Sequence, residues 1–167
     1  MTSGPVGPVT PELVRRVTPD LFGYAIRLTG GDRARAEDLV QETLLALVRH
    51  PDGPTAQVTT GWLMVVLRRR FLDSVRSQRR EDRRVLRAVR LDGSVEPDWS
   101  AVEGGAALQA LGRLSDLRRV ALILRYVDDL PVQEVAQLLG RTPSATESLL
   151  ARARRELARV VRGESDG

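Results

Sequence analysis

The sequence predicts an all-α protein made of two small helical domains joined by a flexible acidic linker, and three observations carry that prediction. Aromatics are 4% of the 167 residues against 42% apolar in all. A core must therefore be built from Leu, Val and Ala, which suits helix packed on helix better than a β-sandwich or barrel. Apolar residues also recur at three- and four-residue steps through most of the chain, the mark of buried helical faces. Between Leu91 and Gly105 that period stops. The run Asp92-Gly93-Ser94-Val95-Glu96-Pro97-Asp98-Trp99, closing on Gly104-Gly105, has neither helical nor strand spacing and reads as a linker.

In the first domain, Thr10 can cap a helix that begins at Pro11, proline fitting the first helical position. A second helix is expected over Pro19–Leu28, with Leu21, Phe22, Ala25, Ile26 and Leu28 inward and Thr29-Gly30-Gly31 as its stop. A third follows from Ala36 to Arg49, where Leu39, Val40, Thr43, Leu44, Leu47 and Val48 share the buried face. Its opposite face carries Asp38, Gln41, Glu42 and Leu45. After the loop His50-Pro51-Asp52-Gly53-Pro54, Thr60 can cap a helix whose inner side reads Trp62, Leu63, Val66, Leu67, Phe71, Leu72 and Val75. That helix runs out into Arg79-Arg80.

In the second domain, Leu108–Leu111 and Leu117–Val127 read as helices, the latter capped by Ser115 and broken by Asp128-Asp129-Leu130-Pro131. Val132, Val135, Ala136, Leu138 and Leu139 then form a short amphipathic helix. Gly140 supplies the turn, and Thr142-Pro143 opens a last helix with Leu149, Leu150, Ala153 and Leu157 inward. The resulting boundaries are a disordered tail over 1–10, a domain over 11–84, a linker over 85–105, a domain over 106–162 and a tail over 163–167.

Charge sharpens this division. All 26 basic residues are Arg, each with a planar fork that grips phosphates or guanine edges in a bidentate way. Ten of them lie between Arg68 and Arg90, whereas residues 91–105 hold four acids and no Arg. The absence of cysteine excludes disulfides and thiolate metal sites, and a single histidine, His50, cannot supply a metal cluster. No serine nucleophile motif, glycine-rich phosphate loop or acid–base constellation is present. The expectation is a nonenzymatic protein with no catalytic residue, metal or cofactor. Without a signal-peptide pattern or a segment of spanning length, it is expected to be cytoplasmic, with no membrane insertion.

Two surfaces stand out. The three carboxylates of Glu37, Asp38 and Glu42 sit on a helix with no partner for acid–base chemistry, so a docking face is the reading. The helix-turn-helix pattern, with a small residue at Ala136 and a basic exit, points to DNA. Its outward stripe Ser144, Glu147, Ser148, Ala151, Arg152 and Arg155 would face the major groove, and Arg141, at the helix start, would hold a phosphate. A dimeric, polymerase-independent operator binder is the alternative, in which the acidic helix serves as a dimer or effector surface.

The run Ala36-Glu37-Asp38-Leu39-Val40-Gln41-Glu42-Thr43 resembles the region 2 helix of bacterial sigma factors, specifically the extracytoplasmic-function (ECF) group of the sigma-70 family. The order Trp62-Leu63, Arg68, Asp73 and Arg76 resembles the later part of that region. Leu111-Gly112-Arg113-Leu114, Arg119, Leu124-Arg125-Tyr126, Glu134-Val135-Ala136, Leu139-Gly140 and Arg152-Ala153-Arg154 resemble sigma region 4. The resemblance implies a region 2-like helical bundle and a region 4-like helix-turn-helix in an RNA polymerase sigma factor. It implies that Asp38, Gln41, Glu42 and Leu45 bind core polymerase, and that Arg68, Arg69, Arg76, Arg79 and Arg80 engage the start-proximal (−10) promoter element. The upstream (−35) element would fall to Arg141, Ser144, Glu147, Ser148, Arg152 and Arg155. Implied partners are core RNA polymerase, through its clamp helices and flap, promoter DNA, and an anti-sigma factor. The chain departs from the family pattern at Arg69, where Asn is common, and at Thr146-Glu147-Ser148-Leu149, in place of Val-Lys-Ser-Arg.

Overall fold

A computed structural model describes residues 10–49, 59–85 and 105–163, without the side chains of residues 79 and 81–85. The expected N-terminal tail, the His50–Pro54 loop and the linker expected over 85–105 lie outside the described residues, apart from Thr10, Val85 and Gly105 at their ends. Every regular element among the described residues is helical. The chain separates into two compact units, Met1–Ile26 with Arg33–Ala88, and Arg27–Asp32 with Val89–Gly167.

Helix α1 spans Pro11–Leu28 as one element, with Pro19 inside it. This corrects the expectation of two helices. Proline removes one backbone donor and crowds the carbonyl four residues back. The helix continues through it with Val17 and Leu21 buried on either side, and Thr18 Oγ1 donates to Val14 O at 2.6 Å in the turn just before. At its start Leu13 N–H donates to Thr10 Oγ1 at 3.2 Å, the expected cap. Gly30 and Gly31, at φ 67° and 92°, end it in a backbone that favours glycine.

Helix α2, Arg33–Val48, starts three residues before the periodic run and buries Ala36, Leu39, Val40, Thr43 and Leu47. Thr43 sits in this core with its hydroxyl donating to Leu39 O at 2.7 Å, so the polar group is satisfied. Val48 is a second correction: it is 62% exposed. It follows Gln41 by seven residues and Leu45 by three, which puts it on the outward stripe.

Helix α3, Thr60–Val85, packs along α2 and buries Leu63, Leu67, Phe71, Leu72 and Val75. Its cap is Thr59, whose Oγ1 accepts from Trp62 N–H at 3.1 Å, and not Thr60. Arg35 of α2 stacks its guanidinium 5.5 Å from the Phe71 ring centroid, and Arg33 lies 5.6 Å from that of Phe22. Trp62 and Val66, expected inward, are half-buried at the edge of the α2–α3 contact. Their positions lie about 100° or less from the outward Arg69–Arg76 stripe, away from Leu67 and Phe71.

The second unit is organised on its last helix. Helices α4 (Gly105–Gly112), α5 (Asp116–Leu122) and α6 (Val132–Leu139) all pack against α7 (Pro143–Val161). Val120, Ala121, Ile123, Leu124, Val135, Ala136, Leu139, Leu150 and Ala153 form its core. Ser115 precedes α5 without a side-chain capping bond. The neighbouring Asp116 instead supplies the negative charge of the first turn and pairs with Arg119, whose Nη1 reaches the carbonyls of Leu111 and Leu114 at 3.4 Å each. The helix expected to continue to Val127 turns into a π-helical stretch, Ile123–Val127, closed by Asp128 N–H on Ile123 O at 2.9 Å.

Candidate functional site

The helix-turn-helix forms through a small set of backbone devices. Gly140, at φ 63° and ψ 42°, ends α6 in the left-handed region. Its N–H donates to Gln137 O at 3.1 Å and that of Arg141 to Ala136 O at 2.9 Å, so the orphan carbonyls of α6 are satisfied. Thr142 then caps α7, its Oγ1 accepting from Ala145 N–H at 3.2 Å, with Pro143 in the first helical position. Buried Thr146 donates its hydroxyl to Thr142 O at 2.9 Å and locks the first turn. Ser144, Glu147, Ser148, Arg152 and Arg155 are exposed along α7, and Arg141 is half-buried at the turn.

Beyond the predicted stripe lies an arginine cluster. Arg118 of α5, Arg152, Arg155 and Arg159 of α7, and Arg162 just past its end rim an open depression of about 750 Å³. Glu156 sits among them, its Oε2 2.5 Å from Nη1 of Arg118. Arg118, Arg159 and Arg162 were not singled out from the sequence. The signal was present in the three- and four-residue steps from Arg152 to Arg155, Arg159 and Arg162, which continue the same helical side.

On α2, Asp38, Gln41, Glu42 and Leu45 are all exposed, opposite the buried face. Leu45, 50% exposed, joins Val48 in an apolar strip beside the carboxylates. Next to it, Glu42, Leu45, Ala46 and Arg49 of α2 and Trp62, Val66 and Arg70 of α3 line a depression of about 380 Å³. Arg70 Nη1 lies 3.5 Å from Glu42 Oε2 across it. From the sequence, Glu42 and Leu45 are expected on this face and Trp62 and Val66 inward, but Arg70 is not singled out.

On α3, Arg69, Asp73, Arg76 and Arg80 follow at four- and three-residue steps and are exposed on one stripe. Arg76 Nη1 is 3.3 Å from Asp73 Oδ1. Arg68 is half-buried and, one residue before Arg69, about 100° round the helix, so it does not join that stripe. The Arg79 side chain lies outside the described residues. No group of three His, Cys, Asp or Glu able to hold a metal occurs among the described residues. No helix there is long and apolar enough to cross a membrane.

Comparison with known proteins matches both halves of the chain. The family described as Sigma-70 region 2 matches residues 13–81, and Sigma-70, region 4 matches residues 105–157. The ECF RNA polymerase sigma factor SigL of Mycobacterium tuberculosis is 36% identical over 144 residues, 82% of this chain and 80% of the relative. BldN of Streptomyces coelicolor, another ECF sigma factor, is 33% identical over 158 residues, 90% of this chain and 59% of the relative. Among solved structures, the sigma factor RpoE of Bartonella quintana, crystallised with the anti-sigma factor NepR, is similar over 92% of this chain and 97% of that one, at TM-score 0.55 and 25% identity. The M. tuberculosis ECF sigma factor SigJ covers 89% of this chain and 54% of its own length, at TM-score 0.56 and 30% identity. Region 2 and region 4 in this order distinguish a polymerase-dependent initiation factor from a dimeric operator-binding regulator. The chain belongs to the extracytoplasmic-function RNA polymerase sigma factors of the sigma-70 family.

Proposed function

We propose that this sigma factor docks on the clamp helices of core polymerase through the α2 face of Asp38, Gln41, Glu42 and Leu45, and so brings two DNA-binding surfaces to one promoter. The observation that carries this is the composition of that face. Three polar or acidic side chains and an exposed leucine stand opposite a fully buried stripe, within the part of the chain that matches region 2. An apolar residue ringed by carboxylates suits a protein partner, and the negative charge resists free DNA.

The start-proximal element is engaged by the exposed stripe Arg69, Arg76 and Arg80, with Arg68 and Arg79 beside it. The upstream element is engaged by Ser144, Glu147, Ser148, Arg152 and Arg155, while Arg141 holds a phosphate and the flap seats the second domain. Tethering two weak DNA contacts on one polymerase raises their joint affinity through effective concentration. The domains responsible span 11–84 and 106–162, linked by the acidic segment 85–105. The factor is nonenzymatic and acts in the cytoplasm, where its polymerase works. The complex of the similar Bartonella protein with NepR supports an anti-sigma factor as a further partner here.

The test is in vitro transcription with core polymerase free of other sigma factors, on a library of promoter fragments. Promoter-specific transcripts that depend on this chain are expected. Their absence, together with tight dimeric binding to a duplex operator, would refute the proposal.

A further inference from the structure

We infer that Glu147 is a specificity residue of the recognition helix and selects cytosine at one position of the upstream element. The inference rests on the proposed role of α7 given above. Glu147 lies in the second turn of α7, exposed, between exposed Ser144 and Ser148. Its neighbours one turn away, Pro143, Ser144, Leu150 and Ala151, carry no positive charge. Among the described residues no ion pair or hydrogen bond engages its carboxylate. Glu156, in the same helix, contrasts with it in being held by Arg118. The nearest arginine further along α7, Arg152, is five positions on and about 140° round the helix.

An unneutralised carboxylate carried to a duplex is repelled by the phosphates unless it meets a hydrogen-bond donor. Ionised, it can only accept. The major groove offers two base donors, the N4 amine of cytosine and the N6 amine of adenine, whereas guanine and thymine present acceptors. At adenine the N7 acceptor stands beside the amine and opposes the second carboxylate oxygen. At cytosine the amine is flanked by a C–H, so cytosine is the better partner. Ser144 and Ser148 are short and uncharged, which leaves Glu147 the longest reach from this part of the helix. A lysine here would seek a phosphate or a guanine edge; the glutamate reverses the requirement on the base.

The test reconstitutes the full chain with core polymerase on promoters randomised through the upstream element, using the wild type, Glu147→Ala and Glu147→Gln. All three proteins are first matched by thermal melting. Wild type is expected to favour cytosine at one position by roughly ten-fold. Glu147→Ala flattens that position alone. Glu147→Gln shifts it to adenine, whose N6 and N7 an amide meets together. Base preferences unchanged in both variants would overturn the assignment and leave the sigma-factor reading standing. If the wild type yields no promoter-specific transcript, that reading fails as well.

Discussion

Arg70 of α3 holds its Nη1 3.5 Å from Oε2 of Glu42 on α2, so the face proposed to dock on polymerase is tied to the helix proposed to engage the start-proximal element. Both partners are well exposed, at 39% and 59%. Such a pair contributes about 0.2–1 kcal/mol, reduced further by salt. A double-mutant cycle of Glu42→Ala and Arg70→Ala in urea should give a coupling of that size. Leu45→Ala should change stability by less than about 0.5 kcal/mol, whereas buried Phe71→Ala should cost about 3–5 kcal/mol.

The turn of the helix-turn-helix depends on backbone conformation more than on packing. A Cβ on Gly140 would meet nothing within 4 Å, so Gly140→Ala costs only the left-handed backbone penalty, about 1–2 kcal/mol. Thr142→Ala removes the cap of α7 and should cost about 1 kcal/mol. Thr142→Asn should retain most of the stability. Chemical denaturation of each variant checks the order.

Pro19 interrupts the hydrogen-bond ladder of α1 without ending the helix. Pro19→Ala restores the missing donor and relieves the crowding at the preceding turn. A stabilisation of about 1–3 kcal/mol is expected, less the unfolded-state stiffness that proline supplied. A lower denaturation midpoint would show that the proline fits this helix without strain.

The phosphate contact proposed for Arg141 predicts a salt signature. Each phosphate contact adds about 0.9 to the slope of log affinity against log salt on duplex DNA. Arg141→Ala should therefore lower the slope for an upstream-element duplex by about 0.9. Ser144→Ala should leave the slope unchanged while altering base preference.

Much of this architecture was legible because its signals are local. The α2 stripe, the Gly140 turn and the Thr142-Pro143 start each follow from spacing within one or two turns, and each is present in the structure. What escaped depended on packing between elements or on competition at a helix end. Pro19 reads as a boundary because proline disfavours helix interiors, yet burial on both sides of it carries α1 through. Thr59 and Thr60 are equivalent cap candidates until the first helical residue is known. Trp62 looks like core by composition, but its position on α3 turns it to the edge of the α2–α3 groove. Arg70 and Arg118 lie within basic runs, and only their approach to Glu42 and Glu156 distinguishes them. Arg68 appears continuous with Arg69 in sequence and is separated from it by one step round the helix.

The central claim is that α2 carries the polymerase-binding face, and the affinity of the full chain for core polymerase tests it most directly. Wild type is compared with the triple variant Asp38→Ala, Gln41→Ala, Leu45→Ala, all three positions being exposed. The account predicts a loss of more than about thirty-fold, as for central contacts of an interface, with the melting temperature and the binding of upstream-element DNA unchanged. Wild-type affinity for core polymerase in the triple variant would contradict it.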